Sequence, residues 1–194
     1  MTIDNDEELV RVVVEVSENL QAIQDYLGQE PRADGKIRFP RGFMRTAGYF
    51  RQKLLFMRDR SSRDNLTYAF ILSDVYRWLT NRTDIYGTAR DMVVKAGLVL
   101  AGSIAETIII DYTTGVVGKK RGFCARADRM VSLGMISNHL AEELKWLWGM
   151  RRGIHIYEIK EREYKSYSLA QYNRAVSALH SLRQELALHH GGHN

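Results

Sequence analysis

The segment from Val93 to Ile110 constrains the fold more than any other part of the chain. Placed on a helix it is apolar nearly all round, which is typical of a helix surrounded by others at the centre of a bundle. Its longest apolar run is short for a membrane span and carries Glu106 and Thr107. We therefore predict a buried core helix, inside a longer helix from about Thr83 to Thr113, in a protein that does not enter a membrane.

Helical periodicity runs through most of the remaining chain. Apolar residues recur at three- and four-residue spacing, no strand pattern is visible, and there are only two prolines. Inside the central helix, Gly97 and Gly102 lower helix propensity but let a neighbouring helix approach closely. The pattern predicts an all-α bundle of about six to seven helices, at about 5–28, 43–58, 63–81, 83–113, 123–132, from 137 onward, and 169–188.

Length and composition favour one globular domain over residues 1–194. Apolar residues make up 45% and charged residues 26%, which is typical of a folded protein. The single cysteine, Cys124, excludes an internal disulfide, and the acidic start does not resemble a secretory signal. We therefore expect a cytoplasmic location. The formal net charge of +5 permits an anionic partner such as RNA without requiring one.

The sixth predicted helix joins an apolar face to two chemically active side chains. Its buried stripe of Leu140, Leu144 and Leu147 continues in four-residue steps to Arg151 and His155. A guanidinium binds phosphate through two parallel hydrogen bonds, and an imidazole exchanges protons near neutral pH. If the helix persists that far, the pair points toward other protein or into a cleft and suits phosphate chemistry.

The surrounding sequence resembles the HEPN-like domain superfamily over about residues 84–188. Leu133-Gly134-Met135-Ile136 resembles the family's turn before a long helix, and Leu147, Arg151 and His155 resemble the motif that ends that helix. The upstream stretch VVKAGLVLAGSIAETIIIDY resembles the family's helix with a central glutamate, here Glu106. On this resemblance the parts are an unassigned N-terminal helical extension (1–82), a HEPN-like core (83–188) and a flexible tail (189–194).

The resemblance implies a function. Many HEPN domains pair as dimers and are metal-independent ribonucleases, so the expected protein is a homodimer that cleaves RNA without a cofactor. Arg151 would stabilise phosphate charge and His155 would act as general acid or base across the dimer cleft. The implied settings are toxin–antitoxin, phage-defence or stress systems, with a cognate antitoxin or regulatory protein as a further expected partner.

Plainer interpretations of these residues stay open. Arg151 and His155 could form a structural pair bonded to Glu142, Glu143 or Glu158. Glu106 is either a structural carboxylate neutralised by an arginine, or the group that orients Arg151, because a buried charge needs a partner. Arg152 is an alternative phosphate ligand. The competing function is a non-catalytic dimer that binds RNA or protein, and a plain helical scaffold is a third alternative.

Basic residues near the second predicted helix form a candidate RNA-binding surface. They are interleaved with aromatic residues, a combination that can bind single-stranded nucleic acid through charge and stacking. The alternative is a solvated basic face above a core aromatic stripe. The candidates are Arg41, Arg45 and Arg51, with Lys119, Lys120 and Arg121 as a second, smaller patch.

Overall fold

A computed structural model describes residues 2–117, 122–152 and 167–191. Within these ranges the regular secondary structure consists of seven α-helices and no strand, which confirms the prediction of an all-α helical bundle. The helices are α1 (Asp6–Leu27), α2 (Ala47–Lys53), α3 (Arg60–Arg82), α4 (Gly87–Thr113), α5 (Phe123–Ser132), α6 (Asn138–Arg152) and α7 (Leu169–Gly191).

The chain divides into two compact units, Met1–Arg41 and Gly42–Asn194. The first unit contains α1. Asn5 caps its N-terminus, where the side-chain oxygen accepts a hydrogen bond from the Glu8 amide at 2.8 Å. Gly28 ends it in a left-handed conformation (φ +56°), and its amide donates to the Gln24 carbonyl. Both ends of α1 therefore follow from local sequence.

The second unit is built around α4. This helix packs against α3, α5, α6 and α7, and Leu98, Ile104 and Ile108 along it are almost completely buried. By length and composition α4 could cross a membrane, yet half of its most apolar window is buried inside the protein. Such burial is compatible with a core helix of a helical bundle.

The two glycines of α4 lie at close approaches to other helices, as predicted. A Cβ atom on Gly97 would lie 2.5 Å from the ring of Tyr172 in α7, and one on Gly102 would lie 2.9 Å from Arg151 in α6. Real side chains do not tolerate such separations, so glycine permits the packing of both neighbours. The register of α6 and α7 against α4 is thereby set.

The second helix is shorter than predicted: α2 covers Ala47–Lys53 rather than about 43–58. Downstream of it, the backbone amides of Arg58 and Asp59 each donate to the carboxylate of Asp111 in α4, both at 2.9 Å. This distant side chain satisfies the two amides in the connection between α2 and α3. The third helix then begins at Arg60.

Asp59 caps the N-terminus of α3. Its carboxylate accepts a hydrogen bond from the Ser62 amide at 2.7 Å, and this bond holds the pKa of Asp59 below its usual value. Charge makes aspartate the stronger acceptor at a helix N-terminus.

Candidate functional site

Arg151 lies at the last described turn of α6 and contacts two side chains of α4. Its Nη1 is 2.9 Å from Glu106 Oε2, and its Nε donates to Ser103 Oγ at 3.2 Å. The guanidinium also lies over the ring of Trp148, with its central carbon 4.9 Å from the ring centroid. Three neighbours of different chemistry therefore hold one cation in a defined orientation.

Local sequence explains why these groups meet. Ser103 and Glu106 are three residues apart, so they lie on one face of α4. Gly102 on the same helix leaves room for the aliphatic stem of Arg151. Trp148 is fixed in turn by stacking on Phe123, with ring centroids 4.8 Å apart and planes inclined by 7°. The site is thus preorganised by α4, α5 and α6 together.

The ion pair is only partly shielded from water. The side chains of Arg151 and Glu106 keep 30% and 28% of their surface exposed. The contacts to Ser103 and Glu106 use Nε and Nη1 of Arg151. An oriented, partly exposed guanidinium can bind a phosphate oxygen, so the arrangement suits recognition of a phosphodiester.

Two of the predicted site residues, Arg151 and Glu106, are thus brought together. The alternative partners of Arg151 in α6 are engaged elsewhere: Glu142 accepts from Lys145 at 2.8 Å, and Glu143 holds Arg174. Arg152 follows Arg151 at the end of α6 and is exposed. Glu106 forms an ion pair with Arg151, an arrangement that fits both interpretations of Glu106: a carboxylate neutralised by an arginine, and the group that orients Arg151.

Several predicted residues lie outside the described parts of the chain. They are His155, Lys119, Lys120, Arg121 and the alternative partner Glu158. Their roles remain predictions from sequence.

Two of the three candidate arginines near α2 form ion pairs with carboxylates, and the third belongs to the other compact unit. Arg45 holds Asp74, with its Nε 3.0 Å from Oδ2, and Arg51 Nε is 2.8 Å from Asp64 Oδ1. The latter contact lowers the pKa of Asp64. Arg41 is exposed and belongs to the first unit.

The aromatic residues interleaved with these arginines fall into two groups. Phe50 is completely buried and stacks on Phe70 with ring centroids 5.1 Å apart, so it belongs to the core aromatic stripe. Tyr49 keeps 40% of its surface exposed. Only the second kind can stack with an external ring.

Two residues with functional potential were not singled out from sequence. Ser103 orients Arg151. The sequence feature that could have indicated this role is the position of its hydroxyl, three residues before Glu106 on the central helix. Arg183 lies on the buried side of α7 over the ring of Phe70, 4.8 Å from its centroid. Its signal was an arginine beside Leu182 at a position of the apolar stripe.

No group of three or more histidine, cysteine or acidic side chains is placed to hold a metal ion within the described ranges. Comparison of the chain with models of known protein families, with curated proteins and with solved structures gave no significant match. The function must therefore be argued from the residues themselves.

Proposed function

We propose that this protein is a HEPN-like, metal-independent endoribonuclease that works as a homodimer. The observation that carries the proposal is the guanidinium of Arg151, held by Glu106 and Ser103 on a side chain that keeps 30% of its surface exposed. Ground-state pairing with Glu106 weakens its attraction for any anion, but it fixes the orientation of the remaining donors. Orientation is the larger benefit where negative charge grows during reaction.

The reaction would be an internal transesterification. A base removes the proton of an RNA 2′-hydroxyl, whose oxygen attacks the adjacent phosphorus while the bond to the 5′-oxygen breaks and that oxygen takes up a proton. The products are a 2′,3′-cyclic phosphate and a 5′-hydroxyl. Arg151 would stabilise the charge on the phosphoryl oxygens, and His155 would transfer the protons. Arg152, exposed beside it, would add a second phosphate contact.

The test is cleavage of a mixed RNA pool in EDTA by the full chain. Arg151→Ala and His155→Ala should each lower the rate at least about a hundredfold. The matched control is Arg174→Ala, because Arg174 has an equivalent environment: Nε is 2.6 Å from Glu143 Oε2, and the guanidinium lies 4.0 Å from the Trp146 ring centroid. That variant should retain wild-type activity.

Outcomes separate the proposal from its alternative. Cyclic phosphate ends that disappear in both site variants, with folding and dimerisation unchanged, support the nuclease. If the folded wild type cuts no RNA, the proposal is wrong for the RNAs tested. RNA retention that depends on Arg151 would then favour the non-catalytic binding module, and a complete lack of RNA binding would favour a protein-binding module or scaffold.

A further inference from the structure

A second concentration of positive charge lies away from Arg151, in a cavity of about 470 Å³. Its walls come from α2 and its flanks on one side and from α7 on the other. Arg45, Lys53 and Arg183 line it, together with His180 and His190, and no carboxylate is among its described lining residues. All of its walls belong to the second unit.

The positive charge of the arginines around this cavity exceeds the negative charge of the carboxylate that pairs with them. The buried Asp74 accepts the backbone amide of Arg45 at 2.9 Å and also its guanidinium, and it lies 3.9 Å from Arg77 Nη1. Both of its oxygens are therefore occupied by Arg45. One carboxylate is surrounded by three guanidinium groups when Arg183 is counted, and Lys53 adds a further cation to the cavity wall.

Arg183, on the α7 wall of this cavity, has little compensation for its charge. Its Nε is buried and has no hydrogen-bond partner among the described residues, and no described carboxylate forms an ion pair with it. Burial, with the nearby charge of Arg45, lowers the pKa of Arg183. A buried cation without a compensating charge is unfavourable, and an anion in the cavity would compensate the charge of the guanidinium.

The rest of the cavity wall indicates which chemical groups a ligand would carry besides its anionic group. Leu55 presents apolar surface, and the partly exposed ring of Tyr49 also lines the cavity. The volume falls within the usual range for pockets that hold small organic molecules, which is roughly 300–1,000 Å³. An inorganic ion would leave the apolar part unfilled. The lining therefore fits an anionic head joined to an apolar or aromatic body.

We propose that the cavity between α2 and α7 binds a phosphomonoester of about mononucleotide size. Its phosphate would bind Arg183 and Lys53, and its ring system would lie against Leu55 and Tyr49. Arg45, already held by Asp74, forms the fixed cationic wall between them. This site is separate from the phosphodiester site proposed at Arg151, and neither depends on the other.

The experiment is isothermal titration of the full chain with three probes: adenosine 5′-monophosphate, inorganic phosphate and adenosine. The mononucleotide should bind most tightly, phosphate more weakly, and adenosine at least tenfold more weakly than the mononucleotide. Arg183→Met, which keeps the aliphatic stem but removes the charge, should weaken mononucleotide binding at least tenfold. Arg174→Met, at an ion pair outside the cavity, should leave it unchanged.

A second readout separates a ligand site from a structural arginine. If Arg183 awaits an anion, Arg183→Met without ligand should have a thermal midpoint equal to or above that of the wild type, because an uncompensated charge is removed. A structural arginine would give a lower midpoint. Absence of binding by the folded wild type, or equal binding by Arg183→Met, would overturn the proposal, whatever the result with RNA.

Discussion

Gly102 of α4 lies directly under the aliphatic stem of Arg151, so that a methyl group on Gly102 would come within 2.9 Å of both Cβ and Cδ of Arg151. The same helix supplies Ser103 and Glu106 to the guanidinium. One turn of α4 thus provides both the space for the arginine and the groups that orient it. Packing and site geometry are therefore coupled at this position.

Gly102→Ala should destabilise the protein and displace Arg151. Alanine gains up to about 1 kcal/mol of helix propensity, but the clash involves Cβ of Arg151, which cannot move without α6, and overpacking typically costs about 1–3 kcal/mol. We expect a net loss of about 1 kcal/mol in urea unfolding. The control is Gly149→Ala in α6, where nothing lies within 4 Å and stability should stay equal or rise. Equal behaviour of the two variants would contradict the close approach.

Glu106→Gln should affect function more than stability. Both partners of this ion pair are about 30% exposed, and pairs of that kind contribute about 1 kcal/mol or less. The amide still accepts a hydrogen bond but no longer neutralises Arg151. Under the proposed function, RNA cleavage should change severalfold while the unfolding midpoint hardly moves. A large stability loss with unchanged cleavage would assign Glu106 a purely structural role.

Asp74→Asn should be among the most destabilising single changes of charge in the described residues. The Asp74 side chain is 1% exposed and is bonded to both the amide and the guanidinium of Arg45. Losing its charge leaves Arg45 and Arg77 facing each other, at a cost of about 2–3 kcal/mol. Chemical denaturation measures it. Asp64→Asn, at the more exposed pair with Arg51, is the control and should change little.

Tyr172 predicts an alkaline loss of stability. Burial raises the pKa of Tyr172 to about 12, above the ordinary tyrosine value near 10. The unfolded chain therefore ionises first, so the stabilisation is complete below about pH 10 and is lost as pH rises toward 12. Between about pH 9 and 11 the wild type should lose about 1 kcal/mol more than Tyr172→Phe. Parallel losses in both proteins would show that Tyr172 is not responsible.

Helix positions followed largely from local sequence. The apolar segment around Ile104, the stripe of Leu140, Leu144 and Leu147, and the cap at Asn5 each act over one or two turns. Such patterns can be recognised in the sequence without knowing which helix packs against them. The connection between α2 and α3 could not be predicted from local sequence, because the carboxylate that accepts from the amides of Arg58 and Asp59 belongs to Asp111, 53 residues beyond Arg58.

For the candidate site, too, part of the arrangement follows from sequence and part only from the tertiary structure. Sequence determined that Arg151 continues an apolar face and that Glu106 interrupts another, because helical periodicity decides which residues share a face. Only the tertiary structure decided that these two meet, and that Glu143 pairs instead with Arg174. That choice depends on how far α6 is rotated and shifted against α4, which is set by interhelical packing at Gly102 and not by any local preference.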